Sequence, residues 1–227
     1  MTESDRSARL TAASEVAVAR VPAKRAAPRF SRLSPAARRQ EILEAARRCL
    51  ARDGVGGFTV AEIASEAGIS NGLIGHYFPT KDALLVATYQ VEADRLLEST
   101  RAALDGKDED PDWRLKALLG SAFCVEIFNE ETVATWLALW GQVRTNAALR
   151  EAHKEIYATY RRGFARAIAR SAEARGLDLN AVALASDISA LIDGLWLEWG
   201  LDPQLFEAAD AIAACHRLLA AHGIDLD

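Results

Sequence analysis

From Ser34 onward, apolar residues recur every three or four positions, and no stretch alternates with a period of two. This pattern predicts an all-α chain of about nine helices. A first helix opens at Ser34-Pro35, a capping residue followed by proline at the first helical position. It continues on Ile42, Leu43, Ala46, Cys49 and Leu50, and stops at Asp53-Gly54. Two short helices are expected at 59–67 and 70–76. A long helix then runs from Thr80 to about Leu104, its apolar side made by Leu84, Leu85, Thr88, Val91, Leu96 and Leu97. The run DGKDEDPD, from Asp105 to Asp112, breaks the pattern as a surface loop. Further helices are predicted at about 113–128, 131–144, 147–175, 180–200 and 204–222. Residues 1–33 show no sustained period and read as a basic, disordered tail.

The two short helices carry the most specific local chemistry. Thr59 stands where an N-cap belongs, and Glu62 completes a T-x-x-E capping box three residues later. Phe58 and Ile63 are spaced as a hydrophobic staple. Gly68 supplies a left-handed residue at the helix end. Ser70 then caps the second helix, with Ile69 and Ile74 again at staple spacing. Two short helices joined by a tight, glycine-containing turn predict a helix-turn-helix, which presses its second helix into DNA. Residues 34–81 are therefore expected to form a DNA-binding domain, and 82–227 a second, helical domain.

Charge sharpens this division. The chain has a net charge of −5, yet residues 1–81 carry 13 Lys/Arg against 8 Asp/Glu, and residues 82–227 carry 14 against 24. A basic head on an acidic body suits a protein whose first part meets phosphate. Between Arg20 and Gln40 there are seven basic residues and no acid. That arm could add phosphate or minor-groove contacts. The three cysteines (Cys49, Cys124 and Cys215) are far apart in apolar surroundings, so a core role and a reducing cytoplasm are expected. No run approaches the length of a membrane span, and no signal-peptide pattern opens the chain. No cofactor is implied.

Two sequence patterns bear on catalysis. Gly68-Ile69-Ser70-Asn71-Gly72 satisfies G-x-S-x-G, but that hydrolase motif needs a strand-to-helix turn, and none is predicted. His76, His153, His216 and His222 show no metal-binding spacing. Neither a catalytic nor a metal site is expected.

The stretch Thr59 to Gly72, with Ile63-Ala64, Ala67-Gly68-Ile69-Ser70, and its continuation through Tyr77-Phe78, Lys81-Asp82 and Leu84-Leu85, resembles the TetR family of bacterial repressors. The resemblance implies a homodimer on a near-palindromic operator, under the control of a small ligand in the C-terminal domain. It also implies that the helix from Ser70 to His76 enters the major groove, with Ser70, Asn71 and Gly72 near base edges. Thr59, His76, Tyr77 and Lys81 would lie at the DNA, with Arg38 and Arg39 near its backbone. Gly75 departs from the pattern, because many members carry a DNA-touching aromatic there.

The C-terminal half resembles the BetI type, the branch that represses choline-to-betaine conversion. The stretches that carry this are His76-Tyr77-Phe78, Thr135 to Trp140, and Ala190 to Leu197. Trp136 and Trp140 share one helix face, and Trp196 lies near Asp193, an acid inside the apolar run ALIDGLWL. On spacing alone, such tryptophans fit a core or dimer interface more readily than a ligand cage. The resemblance favours a cage for a quaternary ammonium, with Phe123, Trp136, Trp140, Asp193 and Trp196 as candidates. A hydrophobic ligand in an efflux or catabolic repressor is the alternative. Ile188, Gly194, Leu195, Ile212, Cys215 and Leu219, on the last two helices, are expected at the dimer interface.

Overall fold

The computed structural model describes residues 33–103 and 110–226. Residues 1–32 of the expected tail and most of the loop expected over 105–112 lie outside the described residues. Nine α-helices and no strand occur among the described residues: α1 Pro35–Gly57, α2 Val60–Ala67, α3 Asn71–Tyr77, α4 Lys81–Ala103, α5 Trp113–Ala122, α6 Glu130–Val143, α7 Ala147–Ala174, α8 Ala181–Leu201 and α9 Ala208–Ala220.

The helix starts follow local chemistry. Ser34 Oγ accepts from Ala37 N–H at 3.2 Å and Thr59 Oγ1 from Glu62 N–H at 3.1 Å. Ser70 Oγ accepts from Leu73 N–H at 3.3 Å and Thr80 Oγ1 from Ala83 N–H at 3.0 Å. Each satisfies a donor that the first helical turn leaves unpaired. The box at Thr59 forms in one direction only, because the Thr59 N–H is taken by the Gly57 carbonyl at 2.9 Å. Gly68 ends α2 with φ +64°. Gly54 bends α1 rather than ending it, with φ +61° and ψ −153°, and the chain resumes helically to Gly57.

Two helices differ from the periodicity. α5 ends at Ala122, not near 128, because Phe123, Ile127 and Phe128 turn inward and are buried. Phe128 packs on Trp199 and Trp196 of α8, with ring centres 4.6 and 5.8 Å away. The Trp196 indole N–H donates to the freed Ala122 carbonyl at 3.1 Å. α9 starts at Ala208 rather than 204, where Asp210 reaches back to the Glu207 N–H at 3.0 Å.

α1 packs most extensively against α6, and also against α2 and α4. The helix-turn-helix is therefore seated on the helical body, and the chain from Ser34 onward forms one unit. An ionic cluster sits at this junction. Arg95 on α4 bonds Glu44 on α1 and, at 3.1 Å, Glu92. Arg47 on α1 reaches Glu44 at 3.5 Å and Glu131 on α6 at 2.9 Å. A second ion pair closes the far end: Asp112 takes both Arg175 nitrogens at 2.6 and 2.7 Å. Arg175 also donates to the Asp225 carbonyl at 2.6 Å, tying the start of α5 and the end of α7 to the C-terminal segment. Asp112, expected on a surface loop, is 6% exposed.

Candidate DNA-reading face and aromatic chamber

α3 is held by one buried side chain, Ile74, while Asn71, Gly72, Gly75 and His76 face outward. Around it, Thr59, Ser70 and Lys81 are exposed and Tyr77 is half-buried against the core. The His76 ring meets Tyr77 edge-on, with centres 5.4 Å apart. Lys81 Nζ lies 5.8 Å from the Phe58 ring centre, and the Arg39 guanidinium sits 5.0 Å over Phe78. Arg38 is paired along its own helix with Glu41. A side chain added at Gly72 or Gly75 would meet no atom within 4 Å. The fold itself does not need these glycines. Ser70 Oγ is occupied as the α3 cap, and the segment before it is a helix, so the strand-to-helix elbow of a hydrolase is absent there.

The second site lies between α4, α6, α7 and α8. Trp136 and Trp140 on α6 and Trp196 on α8 stand with ring centres 5.8 to 6.5 Å from one another. Tyr157, Tyr160 and Ile156 on α7 form the facing wall, and Ala93, Leu96 and Leu97 on α4 close a third side. Asp193 on α8 supplies the single carboxylate of the lining, accepting from the Tyr157 hydroxyl at 3.0 Å. Burial pushes the Asp193 carboxyl up to about 6, against the downward pull of that hydroxyl and of Arg161. Burial, followed by the Asp193 charge, raises the Tyr157 hydroxyl far above its usual range, so it stays a donor. The indole N–H groups of Trp136 and Trp140 are buried with no partner among the described residues. A buried donor left unpaired costs about 1–3 kcal/mol.

The chamber connects to α4 by a chain of polar and ring contacts. Tyr157 stacks on His153, with centres 4.1 Å apart, and His153 Nδ1 meets the Tyr89 hydroxyl of α4 at 2.8 Å. Tyr89 in turn packs edge-on against Trp136 at 5.2 Å. Nearer the reading face, the Asn146 amide joins α7 to α4 by donating to Asp82 at 2.9 Å while its oxygen caps α7 at Leu149.

Four of the five residues expected in the cage are thus brought together, and one is not. Phe123 is packed on Phe128, with ring centres 5.2 Å apart, outside the chamber lining. Tyr157 and Tyr160 were missed. Their only signal was a spacing of three on a long helix, which does not tell a chamber wall from a core. The dimer expectation is redirected. Ile188, Cys215 and Leu219 have no exposed surface in the protomer, so a partner cannot reach them. Leu195 and Ile212 are half-buried. Gly194 has open space at its Cβ position, and the exposed apolar residues of this region are Val182, Leu197, Leu201 and Leu205.

Residues 42–88 match the sequence family described as bacterial regulatory proteins, tetR family, and residues 111–223 match the BetI-type transcriptional repressor C-terminal family. The HTH-type transcriptional regulator BetI of Serratia proteamaculans is 34% identical over 181 residues, covering 78% of this chain and 87% of the relative. The chain is a TetR-family regulator of the BetI type. Two solved structures share its fold. A transcriptional regulator from Pseudomonas aeruginosa PAO1 superposes with a TM-score of 0.77 at 35% identity, over 86% of this chain and 94% of that one. A regulator from Saccharomonospora viridis, solved in complex with choline, gives a TM-score of 0.73 at 25% identity, over 82% and 96%. No helix among the described residues is long and apolar enough to cross a membrane.

For a TetR-family regulator, the open glycines of α3 predict a trade-off. Gly72→Ala should stabilise the fold by about 0.5–1 kcal/mol, since alanine is the better helix former and has room here. The same methyl should weaken operator binding. Thermal melts and gel shifts on one preparation test this, and a variant with unchanged operator affinity would remove Gly72 from the DNA face.

Proposed function

We propose that this regulator is a homodimeric repressor whose effector is a quaternary ammonium compound of the choline class, held in the aromatic chamber. The observation that carries this reading is Asp193, a carboxylate set among three indoles and two phenols. Aromatic faces attract a desolvated cation by about 2 kcal/mol each, and the carboxylate supplies the counter-charge. The choline complex of the Saccharomonospora viridis relative supports the same chemistry. We read the chain as a binding protein with no catalytic role, in line with relatives that are regulators, and as acting in the cytoplasm.

The chamber encloses only about 40 Å³ of free space. Small-molecule sites usually enclose about 300 Å³ or more, so an effector enters only as the walls part. α4 is one of those walls, and its first residues, Lys81 and Asp82, follow the reading helix after a three-residue link. A ligand that prefers the parted state therefore favours one placement of the reading heads over the other, as linkage requires. Thr59, Ser70, Asn71, Gly72, His76, Tyr77 and Lys81 form the DNA side of this reading, with Arg38 and Arg39 at its edge. About eight phosphate contacts per dimer give a log–log salt slope near −7.

The test combines footprinting with calorimetry. The expected result is one protected near-palindrome whose occupancy shifts with choline and does not shift with its neutral carbon isostere, 3,3-dimethylbutanol. Equal responses to both would replace the cation reading with a hydrophobic ligand.

A further inference from the structure

Asp193, Tyr157 and Trp140 wall the chamber on one side and an open depression on the other. The far rim of that depression is Arg144, Arg150 and His153, where α6 gives way to α7. Arg150 is held across this joint, donating from Nε to the Val143 carbonyl at 3.3 Å and from Nη2 to the Arg144 carbonyl at 2.6 Å. The exposed Arg144 side chain has no hydrogen bond or ion pair among the described residues. The nearest acid in sequence, Glu151, is paired with Lys154 at 2.8 Å. Asp193 is the only carboxylate lining the depression. Two arginines that never lose their charge thus share this depression with the Asp193 carboxylate.

This arrangement suits a ligand with charge of both signs. We propose that the depression is an anion subsite, and that the effector site takes zwitterionic quaternary ammonium compounds, with the ammonium at Asp193 and a carboxylate or phosphate at Arg144 and Arg150. The proposal rests on the ammonium reading of the chamber. Guanidinium groups suit it because their planar donors match oxyanions, and charge-assisted bonds exceed neutral ones in strength. Trp140 lines both spaces, so a ligand that reaches from one charge to the other keeps an aromatic face beside it.

Titration calorimetry on the full chain tests this with three probes: choline, glycine betaine and phosphocholine. Glycine betaine and phosphocholine place a carboxylate and a phosphate at different distances from the same ammonium head. Arg144→Ala, a change at an exposed side chain, should weaken at least one zwitterion about five- to tenfold and leave choline unchanged or tighter. Arg150→Ala should act in the same direction. Zwitterions that fail to bind where choline binds, or an Arg144→Ala effect equal for all three probes, would overturn the anion subsite and leave the ammonium reading standing. Silence with every probe would overturn both.

Discussion

Asp193→Asn is expected to lower affinity for choline by a factor of about 30 or more while leaving the fold intact. Removing one member of a desolvated charge pair typically costs about 2–5 kcal/mol of binding. Asparagine keeps the shape and can still accept from the Tyr157 hydroxyl, so the chamber walls stay in place. The pH dependence separates this from a structural defect. The free protein holds the Asp193 carboxyl near 6, and a cation must find it ionised. Choline affinity in the parent should therefore be flat above about pH 7 and fall about tenfold per unit below 6. The asparagine variant should show a flat profile throughout.

Stability should move the other way. A carboxyl raised from its ordinary value of 3.8 toward 6 contributes stability at low pH that is lost as pH rises through that window. The variant, which has no such proton, should be at least as stable as the parent at pH 8. Calorimetry from pH 5 to 8 and urea melts at both ends check these statements, and a choline affinity that survives Asp193→Asn would refute the cage.

Arg95→Ala is expected to destabilise the junction between α1, α4 and α6 by about 2 kcal/mol at pH 8. Breaking a fully buried pair costs about 3–5 kcal/mol. The lower figure allows for Arg95 being 33% exposed, whereas Glu92 is 1% exposed. Burial pushes the Glu92 carboxyl up to about 7, with Arg95 and Arg47 pulling it down and Glu44 and Glu131 pushing it further up. Glu44 is opposite in outcome: burial raises it, but the Arg95 bond and charge, helped by Gln40 and Arg47, bring it below its ordinary value.

Without Arg95, Glu92 holds its proton to still higher pH. The stability lost as pH rises through that window grows accordingly, so the part of the difference due to Glu92 should recover near pH 5, while the part due to Glu44, still ionised there, remains. Urea melts at pH 5 and 8 measure this. A loss of equal size at both would mean that Arg95 acts through Glu44 or the packing of its stem rather than through Glu92.

The helix-turn-helix was legible in the sequence because everything that defines it is local. Thr59, Ser70 and Thr80 cap donors three residues away, and Gly68 takes a backbone conformation that few other residues adopt. Such interactions close within one helical turn, so spacing alone specifies them. The all-α class followed for the same reason, from a period sustained over most of the chain. The family resemblance pointed to a cage, and the fold brings its candidates Trp136, Trp140, Asp193 and Trp196 into one chamber lining. Phe123 lies outside that lining, because the end of α5 is decided by aromatic rings on α8, about seventy residues away.

Tertiary structure alone decided the remainder. It set Tyr157 against Asp193, put α4 into the chamber wall, and buried Ile188, Cys215 and Leu219 inside the protomer rather than at a partner. It also brought Arg47, Arg95 and three glutamates from three helices into one cluster. Apolar periodicity states that a helix has a buried face, but not which neighbour covers it, since core and interface bury the same side chains by the same hydrophobic effect. Carboxylates and guanidiniums far apart in sequence read as solvated charges until the fold removes water from between them.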